Sequence, residues 1–151
     1  MNLESYEPHL TSNHLCYTFN SHGPRGEIQK VVTFRLFQTQ PVVVYNVTLG
    51  DVNKSEIGFD EDAISDNGDR DKVLQTVANI VALFCRRHPQ AYVVAKGNSA
   101  ARNRLYQIMI SNRLAEIEDS YEILGILGPD AVAFQKNINY EGFLVRLKRE
   151  K

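Results

Sequence analysis

Residues 69–100, DRDKVLQTVANIVALFCRRHPQAYVVAKGNSA, decide the fold. Val73, Val77, Ile80, Val81 and Phe84 recur at helical spacing, and Leu74, Ala78 and Cys85 widen the apolar stripe into a buried face. Asp69 stands where an N-cap belongs, and Pro89 bars continuation. Arg86, Arg87 and His88 fall in the last turn, where the helix dipole favours cations. A helix from about Arg70 to His88 is therefore expected. Ala91 to Ala95 then reads as a short buried strand. The turn Lys96-Gly97-Asn98-Ser99 leads from it into a second helix, from about Ala100 to Ala115, capped by Ser99 and turning Leu105, Ile108, Met109 and Leu114 to the core.

Upstream, Tyr17 to Phe19, Ile28 to Phe37 and Val42 to Leu49 are rich in β-branched and aromatic residues with strand alternation. The stretch 21–26 (SHGPRG) and the short connection Gln38 to Pro41 suit reversals, so an antiparallel meander opens the chain. Asp51 to Asp71 holds eight acids against Lys54 and Arg70 and reads as solvated loop, with Glu56 to Phe59 or Ala63 to Ile64 able to add a short strand. Downstream, Tyr121 to Leu127 and Ala131 to Gln135 form a hairpin through Gly128-Pro129-Asp130. Tyr140 to Leu147 fits a strand or a short helix equally. The expected fold class is α+β: an antiparallel β-meander, then helix-strand-helix and a C-terminal hairpin, in a single compact domain with 1–13 and 148–151 loosely held.

The chain has 151 residues, 43% of them hydrophobic and 23% charged, enough for one buried core. Seventeen basic residues against eighteen acidic ones give a net charge of −1, which argues against gripping duplex nucleic acid by bulk charge. Cys16 and Cys85 are too few for a disulfide framework or a thiol metal site and read as reduced, buried apolar residues. No stretch resembles a secretory signal or a bilayer span, so a cytoplasmic setting without membrane contact is expected.

The segment Lys96, Gly97, Asn98, Ser99, with Arg102 and Arg104 just inside the following helix, has the chemistry of an anion cradle. Free backbone N–H groups at a helix start favour anions, Gly97 admits close approach, and the cations and hydroxyl can hold a phosphate. It lacks the repeated glycines of phosphate-binding loops, and capping and turn formation explain the same residues. A second polar loop, Asn67, Asp69, Arg70 and Asp71, could hold a divalent cation through oxygen ligands; ordinary helix capping explains it as well. His9, His14, His22 and His88 show no metal-ligand spacing, so neither a metal nor a cofactor is expected. Phe19, Phe34, Phe37 and Tyr45 with Lys30 and Arg35 could form a stacking face for single-stranded bases, although alternation sends Phe34 and Arg35 to opposite faces.

Several motifs together resemble a family of small bacterial proteins of about this length with no known function: Gly23-Pro24-Arg25-Gly26, Tyr45-Asn46, Gly50-Asp51-Val52, Asn67-Gly68-Asp69-Arg70-Asp71-Lys72, Lys96-Gly97, Ala101-Arg102, Arg104-Leu105-Tyr106 and Phe134-Gln135-Lys136 with Asn139-Tyr140. The resemblance covers nearly the whole chain and implies a bacterial cytoplasmic protein, but carries over no activity, substrate, cofactor or catalytic residue. The functional expectation is a non-enzymatic binding or regulatory module, also a homodimer, that recognises an anionic partner: a nucleic acid, a nucleotide or a protein. The alternatives are a small enzyme acting on a phosphorylated or acyl-carrier substrate, and a structural subunit of a two-protein module.

Overall fold

A computed structural model describes residues 4–11, 15–51, 67–97 and 100–148. The expected strands at Glu56 to Phe59 or Ala63 to Ile64 lie outside the described residues. The elements run β1 (His9–Leu10), β2 (Cys16–Gly23), β3 (Gly26–Gln38), β4 (Val44–Asp51), α1 (Arg70–Arg87), β5 (Tyr92–Ala95), α2 (Ala100–Asn112), α3 (Leu114–Ser120), β6 (Tyr121–Leu127), β7 (Asp130–Ala133) and β8 (Gly142–Leu147). The fold is α+β, with the strands ordered β1-β2-β3-β4-β5-β8-β6-β7 in an eight-stranded, mostly antiparallel sheet. Two compact units make up the chain: Met1–Arg35 with Val47–Leu83, and Leu36–Asn46 with Phe84–Lys151.

The first unit is built on the β2–β3 hairpin, registered from Cys16↔Thr33 to Gly23↔Gly26 across a two-residue turn. Gly26 takes φ +88°, a backbone region that side chains disfavour. Alternation buries Tyr17, Phe19 and Ser21 on β2 and Lys30, Val32 and Phe34 on β3. Val73, Leu74, Thr76 and Ile80 of α1 are buried in turn. The expected stacking face is thus mostly interior: Phe19, Phe34 and Lys30 are buried, while Arg35 and Phe37 remain exposed. Within the stretch expected to be loosely held, Tyr6 is buried, stacks on Phe19 at 5.8 Å and donates its backbone N–H to Thr76 Oγ1 at 2.8 Å.

In the second unit β5 pairs in parallel with β4 (Val44↔Tyr92 to Asn46↔Val94) and antiparallel with β8 (Val93↔Val145 to Ala95↔Phe143). A parallel pair needs a long crossover, which the connection through α1 supplies. The tail is therefore a strand, and β8 also pairs with β6, so the last strand lies between β5 and the β6–β7 hairpin. Ile110, Ile123, Phe134, Tyr140 and Phe143 form the core here, the three aromatic rings packing 5.4–6.1 Å apart. At Arg113 the second helix breaks, so α2 and α3 replace one continuous helix.

One expected face is corrected. Ile108 is 50% exposed, whereas Gln107 and Ile110 are buried. The inward face of α2 runs through positions 103, 107 and 110, while Leu114, expected to face the core, packs against it from the start of α3. Cys85 is fully buried, but Cys16 is only half-buried and lies 3.7 Å from Thr33 Oγ1. Among the described residues no helix is long and apolar enough to cross a membrane.

Candidate functional site

The polar loop before α1 is a clasp. The buried Asn67 side chain accepts the Arg25 N–H at 2.8 Å and donates to Gly26 O at 2.8 Å and Ser21 Oγ at 3.2 Å. It thereby ties the tip of the β2–β3 hairpin to the start of α1. Gly23 has to be glycine for the same reason, since a Cβ there would overlap the Asn67 carbonyl oxygen. The carbonyl of Asp69 accepts the first helical bond from Val73 N at 3.0 Å, as a cap does. Its Oδ2 accepts from Tyr6 Oη at 2.5 Å and Ser21 Oγ at 2.6 Å. Burial, and then the hydrogen bond to Asp69, raise the pKa of Tyr6, and Lys72 Nζ lies 4.3 Å above its ring. Arg70 and Asp71 point to solvent and lie 3.5 Å apart. The Asn67 side chain is therefore spent on tying backbone, whereas Asp69 binds two hydroxyls through Oδ2 and keeps Oδ1 buried without a hydrogen bond; no group of three metal-ligating side chains occurs among the described residues.

The strand-to-helix turn is different. The register Ala95↔Phe143 brings Lys96 beside Gly142, so residues 139–141 arrive next to the turn after β5. Between them and α2 lies a cleft of about 630 Å³ lined by Lys96, Gly97, Asn103, Arg104, Gln107 and Tyr140, with Ala100, Ala101, Asn139 and Glu141 completing the wall. That volume is in the ordinary range for a small-molecule site.

The lining has a floor and a rim. Gly97, Gln107 and Tyr140 are buried, whereas Lys96, Arg104, Asn139 and Glu141 are exposed. The Tyr140 ring is held by Phe134 and Phe143, and its hydroxyl accepts the Gln135 N–H at 2.9 Å. Gly125 leaves the room for it, since a Cβ there would run into the ring. Asn103 Oδ1 accepts the Gly97 N–H at 2.7 Å, which fixes the turn and takes that donor away from any ligand. Gln107 is 8% exposed as a residue and lines the same cleft.

The electrostatics favour an anion. Lys96 and Arg104 form no ion pair among the described residues, and the first turn of α2 carries no acid. Its leading N–H groups have no helical acceptor. Glu141 is the one acid in the lining, and its Oε2 accepts the Gly128 N–H at 3.2 Å.

Of the expected cradle, Lys96, Gly97 and Arg104 come together at this cleft. Asn98 and Ser99 lie outside the described residues, as does the side chain of Arg102. Asn103, Gln107, Asn139, Tyr140 and Glu141 were not expected. Asn103 and Gln107 announce themselves only as two polar residues four apart on a helix face that must be buried. The downstream wall had a signal in the Asn139-Tyr140 motif, but no sequence feature joins it to residue 96.

No curated protein and no solved structure matches the chain. A family model matches residues 2–148. The chain accordingly belongs to the family of unknown function DUF6934.

Proposed function

We propose that the protein is a non-enzymatic binding module that takes an anionic partner in the cleft between α2 and residues 139–141. The observation that carries this reading is a cleft lined by Lys96 and Arg104, which form no ion pair among the described residues, beside a helix whose first turn carries no acid. A bacterial cytoplasmic setting belongs to the same proposal.

Thermal denaturation against phosphate, nucleotides, acyl-CoA, divalent cations and short oligonucleotides tests it. A ligand present at ~100 times its Kd stabilises the native state by roughly 2.7 kcal/mol. Stabilisation by an anion that disappears in the double variant Lys96→Ala/Arg104→Ala supports the reading; a flat response across the panel refutes it.

A second reading, homodimerisation, draws on the end of β3 and the connection after it, where Leu36, Phe37 and Val42 are 54%, 70% and 39% exposed. Sedimentation of the wild type and Phe37→Ser over a range of concentrations tests it, with dimer lost in the variant as the supporting result and a monomeric wild type as the refuting one.

A further inference from the structure

In the second unit the helices gather on one face of the sheet. Phe84 of α1 and His88 just after it pack on Tyr45, whose strand partner is Val93, and Ile110, Leu114 and Ile117 of α2 and α3 pack with Ile123 and Phe143. Val93, Ile123 and Phe143 are accordingly buried. Strand alternation turns the next residue of each strand to the other face, and there the burial changes. Val94, Leu144 and Leu124 are only half-buried, and Ala133 is exposed. The registers Val94↔Leu144, Leu124↔Leu144 and Leu124↔Ala133 set these four side by side across β5, β8, β6 and β7 as one apolar row.

The next row of that face is charged. Arg146 Nη2 donates to Glu122 Oε1 at 2.9 Å, Tyr92 Oη donates to the same oxygen at 3.1 Å, and the guanidinium lies 4.3 Å over the Tyr92 ring. The Arg146 and Glu122 side chains are 22% and 40% exposed, so the pair stands at the surface. Its two charges sit directly opposite each other on adjacent strands, β8 and β6, which makes the face complementary to itself. A second copy, given a half-turn about an axis running along the strands between β8 and β6, lays Arg146 over the copy's Glu122 and Leu144 over the copy's Leu124. A partner of one sign, acidic or basic, would match one of these charges and oppose the other. The same half-turn leaves the two sheets aligned, as stacked sheets commonly are. Four strands about 4.8 Å apart, each of about six residues rising 3.3 Å, give a face of roughly 300–400 Å² in projection. That is at the small end for a specific pairing and corresponds to a dimer that forms at micromolar concentration.

We propose that this face, with Leu144 and Leu124 beside the Arg146–Glu122 pair, is where a second copy of the chain docks. This rests on the homodimer reading above and sets the centre of the contact on β8 and β6. The exposed connection that carries Val42 leads into Val44, the strand partner of Tyr92, and forms the margin of the same contact.

Sedimentation velocity of the full chain over a range of micromolar concentrations tests it, with the folding of every variant verified by circular dichroism. The wild type dimerises. Glu122→Arg and Arg146→Glu are each monomeric, because like charges then face one another, and mixing the two variants restores a dimer, because each copy supplies the charge that the other lacks. Leu144→Gln leaves the charges in place, serves if a charge reversal does not fold, and weakens the dimer roughly tenfold or more. A wild-type dimer that is lost in Phe37→Ser but unaffected by Glu122→Arg and Leu144→Gln overturns the assignment to this face and leaves the homodimer reading standing. So does a mixture of the two folded charge variants that stays monomeric. A wild type that is monomeric throughout the range overturns both.

Discussion

Replacing Asn67 by alanine removes three hydrogen bonds at once: the acceptor for Arg25 N–H and the donors to Gly26 O and Ser21 Oγ. Each is worth about 0.5–1.5 kcal/mol net. The hairpin turn at Arg25 and Gly26 is exposed, so water takes over part of what the side chain gave up. A loss of about 2–3 kcal/mol follows, which for a chain of this length lowers Tm by roughly 4–12 °C. Asn67→Asp keeps an acceptor for Arg25 but sets a carboxylate oxygen against the Gly26 carbonyl, and it should be at least as damaging. Urea unfolding followed by far-ultraviolet circular dichroism measures both. A change within ~0.5 kcal/mol of wild type for Asn67→Ala, typical of an uninvolved surface position, would refute the clasp. So would a wild-type melting point raised by calcium or magnesium and returned to baseline by Asp71→Asn, because the loop would then be a cation site.

Three further outcomes follow from the packing and the titrating groups. Gly125→Ala drives a methyl group into the fixed Tyr140 ring and should lower stability by about 1–3 kcal/mol while weakening anion binding, as read by urea unfolding and calorimetry. Burial raises the pKa of Tyr6, Tyr92 and Tyr121, and takes the Cys85 thiol from 9.0 to about 12. The unfolded chain gives up these protons first, so their stabilisation is complete below pH 9 and falls as pH rises from 9 towards 12; a melting temperature that stays level across that range contradicts this. His88, packed 4.2 Å from the Phe84 ring, has its pKa lowered by burial and by Arg87, so its contribution is present above pH 6.5 and is lost on acidification, which His88→Gln should remove from the pH profile.

The sequence was legible where a signal is local and periodic. The stripe Val73, Val77, Ile80, Phe84 between Asp69 and Pro89 marks α1 nearly to the residue, because cap, stripe and stop agree. Strand alternation likewise marks β2, β3 and β4. The pairing was not legible: β8 lies between β5 and β6 through contacts some fifty and twenty residues away in the chain, as in Val93↔Val145 and Ile123↔Val145, and no local pattern records partner choice. The face of α2 was misread because two of its inward positions are the polar Asn103 and Gln107, so apolar periodicity points to Ile108 instead. Asn103 is explained by its bond to Gly97 N–H. Gln107 is polar yet buried, so it too drops out of the apolar pattern. The two polar loops looked alike as sequences, each a glycine and small polar residues before a helix. Packing separates them: Asn67 and Asp69 are consumed by their own hairpin, whereas Lys96 and Arg104 face an open cleft.

The most direct test of the anion cleft is a two-dimensional amide NMR titration of the isotopically labelled protein with phosphate and then AMP. Saturable shifts confined to the backbone amides of Gly97, residues 100–104 and 139–141, together with the Gln107 side-chain amide, are the predicted result. Shifts that map elsewhere, or none at concentrations that saturate ordinary phosphate sites, would contradict it.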